Sequence, residues 1–173
     1  GNHISILKII KFLKIKHKET PIIILENSQA VTAYSLSEIK DEFLKLGCDF
    51  ILIGDLENIS VELYKNIKKI DHLKTLDGVI SKNFCNNKIN FVNDLDKLPF
   101  PAWEDFPLEN YWKLGYSHGP LSSKKYLPML SSRGCPYPCN FCVIPQTNER
   151  KWRSRSPDNV VKEIEYFREN LDI

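Results

Sequence analysis

Two continuous apolar runs, one helix apart, set the fold of the first half of this chain. Pro21-Ile22-Ile23-Ile24-Leu25 and Asp49-Phe50-Ile51-Leu52-Ile53-Gly54 do not alternate with polar residues. A strand that is apolar at every position has both faces covered, and such strands sit in parallel sheets flanked by helices. Between the runs, Leu36, Ile39, Phe43 and Leu46 recur at helical spacing; Ser35 or Ser37 is placed to cap that helix and Gly47 to stop it. Ile59, Leu63, Ile67 and Ile70 mark a second helix after the second run. Ahead of the first run, Ile6, Ile9, Ile10 and Leu13 mark a lysine-rich helix over 4–18, expected to pack on the sheet rather than lie on a membrane. This alternation predicts a βαβ unit. Residues 78–92 read as a hairpin turning at Asn86-Asn87.

The texture changes at Leu95. Leu95-Asp96-Lys97-Leu98-Pro99-Phe100-Pro101-Ala102-Trp103 and Pro107 lack several amide donors and predict an extended strap. We place domain boundaries accordingly: an α/β domain over 1–94, a connector over 95–124, and a second domain opening at 125–173. In the last part a strand is expected over 125–132, a loop over 133–155, and a helix from Pro157 to Leu171. Ser156 is its N-cap, Pro157 its first residue and Asp158 lies in its first turn. Its apolar face is expected to be Val160, Val161, Ile164, Phe167 and Leu171.

Charge excludes little and favours no nucleic acid: 24 basic side chains stand against 22 acidic ones. No apolar run reaches the roughly 20 residues that cross a bilayer, and residues 1–5 do not look like a signal peptide. A cytoplasmic location is expected. Gly1 at the start, with Met129 the single methionine, suits a piece of a longer protein.

Five cysteines are an odd number, and Cys135, Cys139 and Cys142 fall on one short loop. That distribution favours metal-ligating thiolates over disulfides. The run is Ser131-Ser132-Arg133-Gly134-Cys135-Pro136-Tyr137-Pro138-Cys139-Asn140-Phe141-Cys142. Three soft thiolates suit an iron–sulfur cluster or zinc. Gly134 supplies a tight entry turn, and the prolines limit unused amides.

This spacing, with an aromatic before the last cysteine, resembles the radical S-adenosylmethionine (SAM) superfamily. Arg153-Ser154-Arg155-Ser156-Pro157 is similar to the segment opening that family's first barrel helix, and the Leu95–Pro101 run to the strap of its cobalamin-binding-domain subgroup. The resemblance implies the C-terminal part of a doubly wound Rossmann-like, B12-binding-like domain, followed by the first βα unit of a partial TIM-type barrel. It implies a 4Fe-4S cluster on Cys135, Cys139 and Cys142, SAM on the open iron, and Phe141 beside SAM. It further implies reductive cleavage of SAM for methyl transfer, cyclisation or rearrangement of a small-molecule or lipid-like substrate. The electron donor would be a flavodoxin or ferredoxin. No catalytic side chain is assigned. Cobalamin is left open: Gly54-Asp55-Leu56-Glu57 stands where the family often has Gly-Glu-Gly-Glu, nothing near Glu26-Asn27-Ser28-Gln29 matches its glycine-rich turn, and no Asp-x-His-x-x-Gly is present. The residues after Cys142 suffice for one loop and one helix, whereas a complete barrel takes roughly 200 residues or more. The chain alone is therefore expected to hold a cluster weakly and to show no turnover.

Three other readings compete. A structural zinc site would use the same thiols but needs a fourth ligand, and His118 is the closest upstream histidine. A zinc deaminase would need His17-Lys18-Glu19, which lies on the first helix. A tRNA methylthiotransferase would need three further cysteines for a second cluster, and only Cys48 and Cys85 remain; both are expected to be packing or surface thiols. Arg133, Arg150, Lys151, Arg153 and Arg155 crowd the loop, either as a solvated rim or facing an anionic substrate. Trp103, Tyr111 and Trp112 are expected in packing.

Overall fold

The computed structural model describes residues 3–26, 35–115 and 123–173. Contacts divide the chain into two compact units, one made of 1–93 with 134–152, the other of 94–133 with 153–173.

The first unit is a three-layer α/β arrangement. Strand β1 (Ile23–Leu25) runs parallel to β2 (Phe50–Leu52), and β3 (Val79–Ser81) pairs antiparallel on the other side of β2, giving a mixed sheet. Helices α1 (His3–Lys16) and α2 (Leu36–Lys45) cover one face, where Ile10, Leu36 and Phe43 meet Ile51, Ile53 and Ile80. Helices α3 (Leu56–Asn66) and α4 (Ile70–Leu73) cover the other, where Ile59, Leu63 and Leu73 meet Phe50, Leu52 and Val79. Successive β2 residues point to opposite, covered faces, which is why that run is apolar throughout. Gly47 ends the α2 turn with φ +104°.

Three expectations for this unit change. β1 is buried on one face only: Ile23 and Leu25 are 37% and 51% exposed, because α3 and α4 cover β2 and β3 but stop short of the sheet edge. The second helix breaks after Asn66, whose side-chain amide donates to the Glu62 carbonyl at 3.1 Å, in competition with the helix's own ladder. The hairpin turns at 81–84, not at Asn86-Asn87. Ser81 N donates to Phe84 O at 2.8 Å, and Ile80 pairs with Cys85. Asn86 is held instead by a bond from its side chain to Leu76 O, and neither asparagine has a positive φ.

In the second unit a short antiparallel ladder joins β4 (Ser132–Arg133) to β5 (Arg153–Ser154). Residues 126–130 form no strand; Pro128 has no N–H to give a ladder, and Leu130 is exposed. Among the described residues there is no barrel. The strap is not uniformly extended either, since single 3-10 turns form at Leu95–Lys97 and Trp103–Asp105, and α5 (Leu108–Leu114) follows. The Asp94 side chain starts the first turn by accepting from Asp96 N. Phe100 packs against Tyr166 and Phe167, with ring centroids 5.7 and 6.3 Å away.

Helix α7 (Pro157–Leu171) begins as the sequence dictates, with Ser156 accepting from Asn159 N at 3.1 Å. Its buried face differs. Phe167 and Glu163 are buried, while Val161 and Ile164 are about half exposed. The Glu163 carboxylate pairs with the Arg155 guanidinium, so an ion pair claims the face that apolar periodicity assigned to Ile164.

Candidate functional site

The three loop cysteines are placed by one short stretch that closes on itself. Gly134 precedes Cys135 with φ +84°, and a Cβ there would overlap the Lys151 carbonyl, so only glycine fits this entry. Arg150 Nε donates to the Pro136 carbonyl at 3.2 Å, tying the exit of the loop to its first limb. Cys142 N donates to Cys139 O at 3.1 Å, a turn that brings the second and third cysteines onto one bend. Helix α6 (Ile144–Asn148) follows, with Pro145 in its first turn, and ends in two consecutive left-handed residues, Glu149 at φ 50° and Arg150 at φ 57°.

All three thiols are free; Cys135 and Cys142 are half-buried and Cys139 is exposed. Among the described residues no three His, Cys, Asp or Glu side chains are gathered tightly enough to hold a metal ion, so the loop supplies the donors without closing them around a centre. The donor set nevertheless suits an iron–sulfur cluster: three thiols, unbridged and reachable, on a loop with a preformed entry and exit. Phe141 is 81% exposed beside Cys142, so its ring face is open to a flat partner.

The other cysteines sit in different settings. Cys48 is buried, donates to Phe50 O at 3.0 Å, and burial pushes its thiol up to about 11. Cys85 is exposed and donates to Asn87 Oδ1 at 2.9 Å.

Among the basic residues, Arg155 is structural. It pairs with Glu163, donates to Asn159 Oδ1 at 2.7 Å and to Leu130 O at 3.1 Å, and stands over the Phe100 ring. Lys151 bonds Glu149 at 2.6 Å and lies 4.5 Å from the Phe91 ring centroid. Trp112 donates to Tyr126 O at 2.7 Å, and Trp103 meets Phe106 edge-on, as packing residues do. His118 lies outside the described residues.

Sequence reasoning missed Thr147 and Asn148. Both are polar and fully buried at the end of α6, with the Asn148 amide donating to Thr147 Oγ1 at 3.1 Å. Their signal was faint: two small polar residues closing a short helix, with no periodicity to flag burial.

This chain is similar to methyltransferases. It is 31% identical over 86 residues to cytidylyl-2-hydroxyethylphosphonate methyltransferase of Streptomyces wedmorensis, covering 49% of this chain and 16% of that protein. It is 26% identical over 148 residues to bacteriochlorophyllide d C-8(2)-methyltransferase of Chlorobaculum tepidum, covering 80% of this chain and 31% of that one. It is 27% identical over 122 residues to tRNA-2-methylthio-N(6)-dimethylallyladenosine synthase of Treponema denticola, covering 66% and 26%. The chain thus spans between a sixth and a third of these relatives. No family model matches it, and no solved structure does. Its relatives are named as enzymes, which is consistent with an enzyme here. No helix among the described residues is long and apolar enough to cross a membrane.

Proposed function

We propose that this chain is the cluster-binding part of a radical SAM enzyme and that the whole protein transfers a methyl group. One observation carries the reading: three free thiols, Cys135, Cys139 and Cys142, stand on a loop whose entry only glycine fits and whose exit bonds back to Pro136. Cys135, Cys139 and Cys142 would hold a 4Fe-4S cluster through three protein ligands, and the chemistry supplied by such a cluster would be one-electron reductive cleavage of SAM. The chain's own part is to hold and orient. The Cys139–Cys142 bend sets the spacing of two thiols, and the Gly134–Lys151 approach fixes the limb bearing Cys135. Phe141 offers an exposed ring beside the last thiolate for the adenine side of SAM. Methyl transfer is favoured over cyclisation or rearrangement by the names of two relatives. The substrate would be a small or lipid-like molecule and the electron donor a flavodoxin or ferredoxin.

A tRNA methylthiotransferase is the second reading, favoured by the Treponema denticola relative. Buried Cys48, with its raised thiol pKa, is a poor ligand for a second cluster in this chain.

Anaerobic reconstitution of the full-length protein tests the proposal. Iron and sulfide near four each per chain, little zinc, and SAM-derived 5′-deoxyadenosine support it. Loss of iron and of SAM cleavage is expected on changing any of Cys135, Cys139 or Cys142 to alanine. Stoichiometric zinc in place of iron, or unchanged iron in those variants, would sink it; about eight irons per chain would favour the second reading.

A further inference from the structure

Ligands of open α/β sheets bind in the crevice at the carboxyl ends of the strands, and anionic groups there settle on a helix N-terminus and nearby glycine amides. Among the described residues of this chain, a side chain takes that role. Glu26 directly follows β1 and is 4% exposed. Its Oε1 accepts from the amide of Leu36, the first residue of α2, at 2.8 Å. Gly54, beyond the end of β2, and Ser35, the N-cap of α2, favour the charged form of this carboxyl against the burial that raises its pKa. A helix start beside a glycine is the setting in which a phosphate is bound, and here a side-chain carboxylate takes the helix-start amide.

At the neighbouring strand end the buried acid serves a loop amide rather than a helix start. Asp55 is 2% exposed and accepts from Val92 N at 2.7 Å, while the Asn90 side chain donates to the Asp55 carbonyl at 2.6 Å. Gly54 pairs with Asn90, and a Cβ at Gly54 would collide with the Asn90 backbone. The 90–92 segment therefore runs alongside Gly54 and Asp55, just past the end of β2.

We propose that Glu26 is a resident anion. Its carboxylate occupies the anion position of this sheet, so the crevice excludes phosphate-bearing ligands, the nucleotide tail of cobalamin included. Two effects exclude them together: the donors are already engaged, and a second negative charge would be placed against a buried carboxylate. The described residues at this strand end therefore do not fit the phosphate of cobalamin's nucleotide tail. This inference goes beyond the cluster reading and stands or falls separately from it.

The test uses the full-length protein, with hydroxocobalamin and inorganic phosphate as probes. Wild type is expected to lose hydroxocobalamin on gel filtration, judged by visible absorbance, and to show no rise in melting temperature with phosphate. Glu26→Ala, which frees the donors and removes the charge, is expected to bind phosphate at least about tenfold more tightly than wild type. Stoichiometric retention of hydroxocobalamin by wild type, or a phosphate response in wild type equal to that of Glu26→Ala, overturns the proposal. A folded Glu26→Ala without any gain overturns it as well. Should that variant not fold, the wild-type titrations decide alone, retention or a phosphate response overturning the proposal and the lack of both supporting it.

Discussion

Helices α2 and α7 begin with the same electrostatic need and meet it in different ways. Each has a serine at its N-cap and each receives a carboxylate on an amide of its first turn or cap. At α7 the supply is mostly local: Ser156 accepts from Asn159 N, and Asp96, half-buried, accepts from Ser156 N at 2.9 Å. At α2 the serine makes no capping bond, and buried Glu26, at the end of the preceding strand, serves Leu36 N instead. Burial then reverses the sign of the acid's titration. Desolvation raises Glu26 above the ordinary glutamate value against the pull of its donors, whereas hydrogen bonds from Ser156 lower Asp96 below the ordinary aspartate value. A half-buried cap is stabilised as an anion; a cap from the core pays a desolvation cost for the same bond.

Four measurements would break or sharpen this contrast. Glu26→Ala leaves the buried Leu36 amide without its acceptor, so it should cost the most, about 2–3 kcal/mol in urea denaturation. Ser156→Ala removes one cap in a half-buried setting and should cost about 1 kcal/mol; equal losses for the two variants would dissolve the distinction. Next come opposite pH trends. Glu26 binds its proton more tightly folded than unfolded, so its contribution is fully present below about pH 4.3, the ordinary glutamate value, and is lost as pH rises through the folded value. Asp96 contributes above about pH 3.9 and loses that contribution as pH falls through its lower folded value. Melting curves across acidic pH should therefore show Glu26→Gln removing a decline on raising pH, and Asp96→Asn removing a decline on lowering it. Matching slopes would contradict the assigned directions. The smallest effect, under about 0.5 kcal/mol, belongs to Ser37→Ala, since that hydroxyl meets the Ser35 hydroxyl and caps no amide.

The same contrast explains what could be read in advance. Helix α7's start was legible because its signals, Ser156, Pro157 and Asp158, are adjacent in sequence. β2 was legible because both faces are covered, and Gly47 because a left-handed stop favours glycine. Glu26 was not, because its role depends on α2 and on Gly54 returning to the end of β1 in space. The exposure of Ile23, Leu25, Val161 and Ile164 was hidden for a related reason: periodicity gives the apolar face, but not whether anything covers it. At the cysteine loop, the three thiols and the Gly134 turn were plain in the sequence, and the Arg150–Pro136 bond and the burial of Thr147 and Asn148 were not. Contacts across a loop leave no period to detect.

The bare margin of the small sheet carries a practical consequence. β1 presents one row of amides and carbonyls with no neighbour beside it among the described residues, and Ile23 and Leu25 lie open on the adjoining face. Backbone valences next to uncovered aliphatic carbons invite another extended chain to add on. Handled by itself at high concentration, this polypeptide should stack margin to margin and come out of solution, and a lysine in place of Leu25 should keep it dispersed.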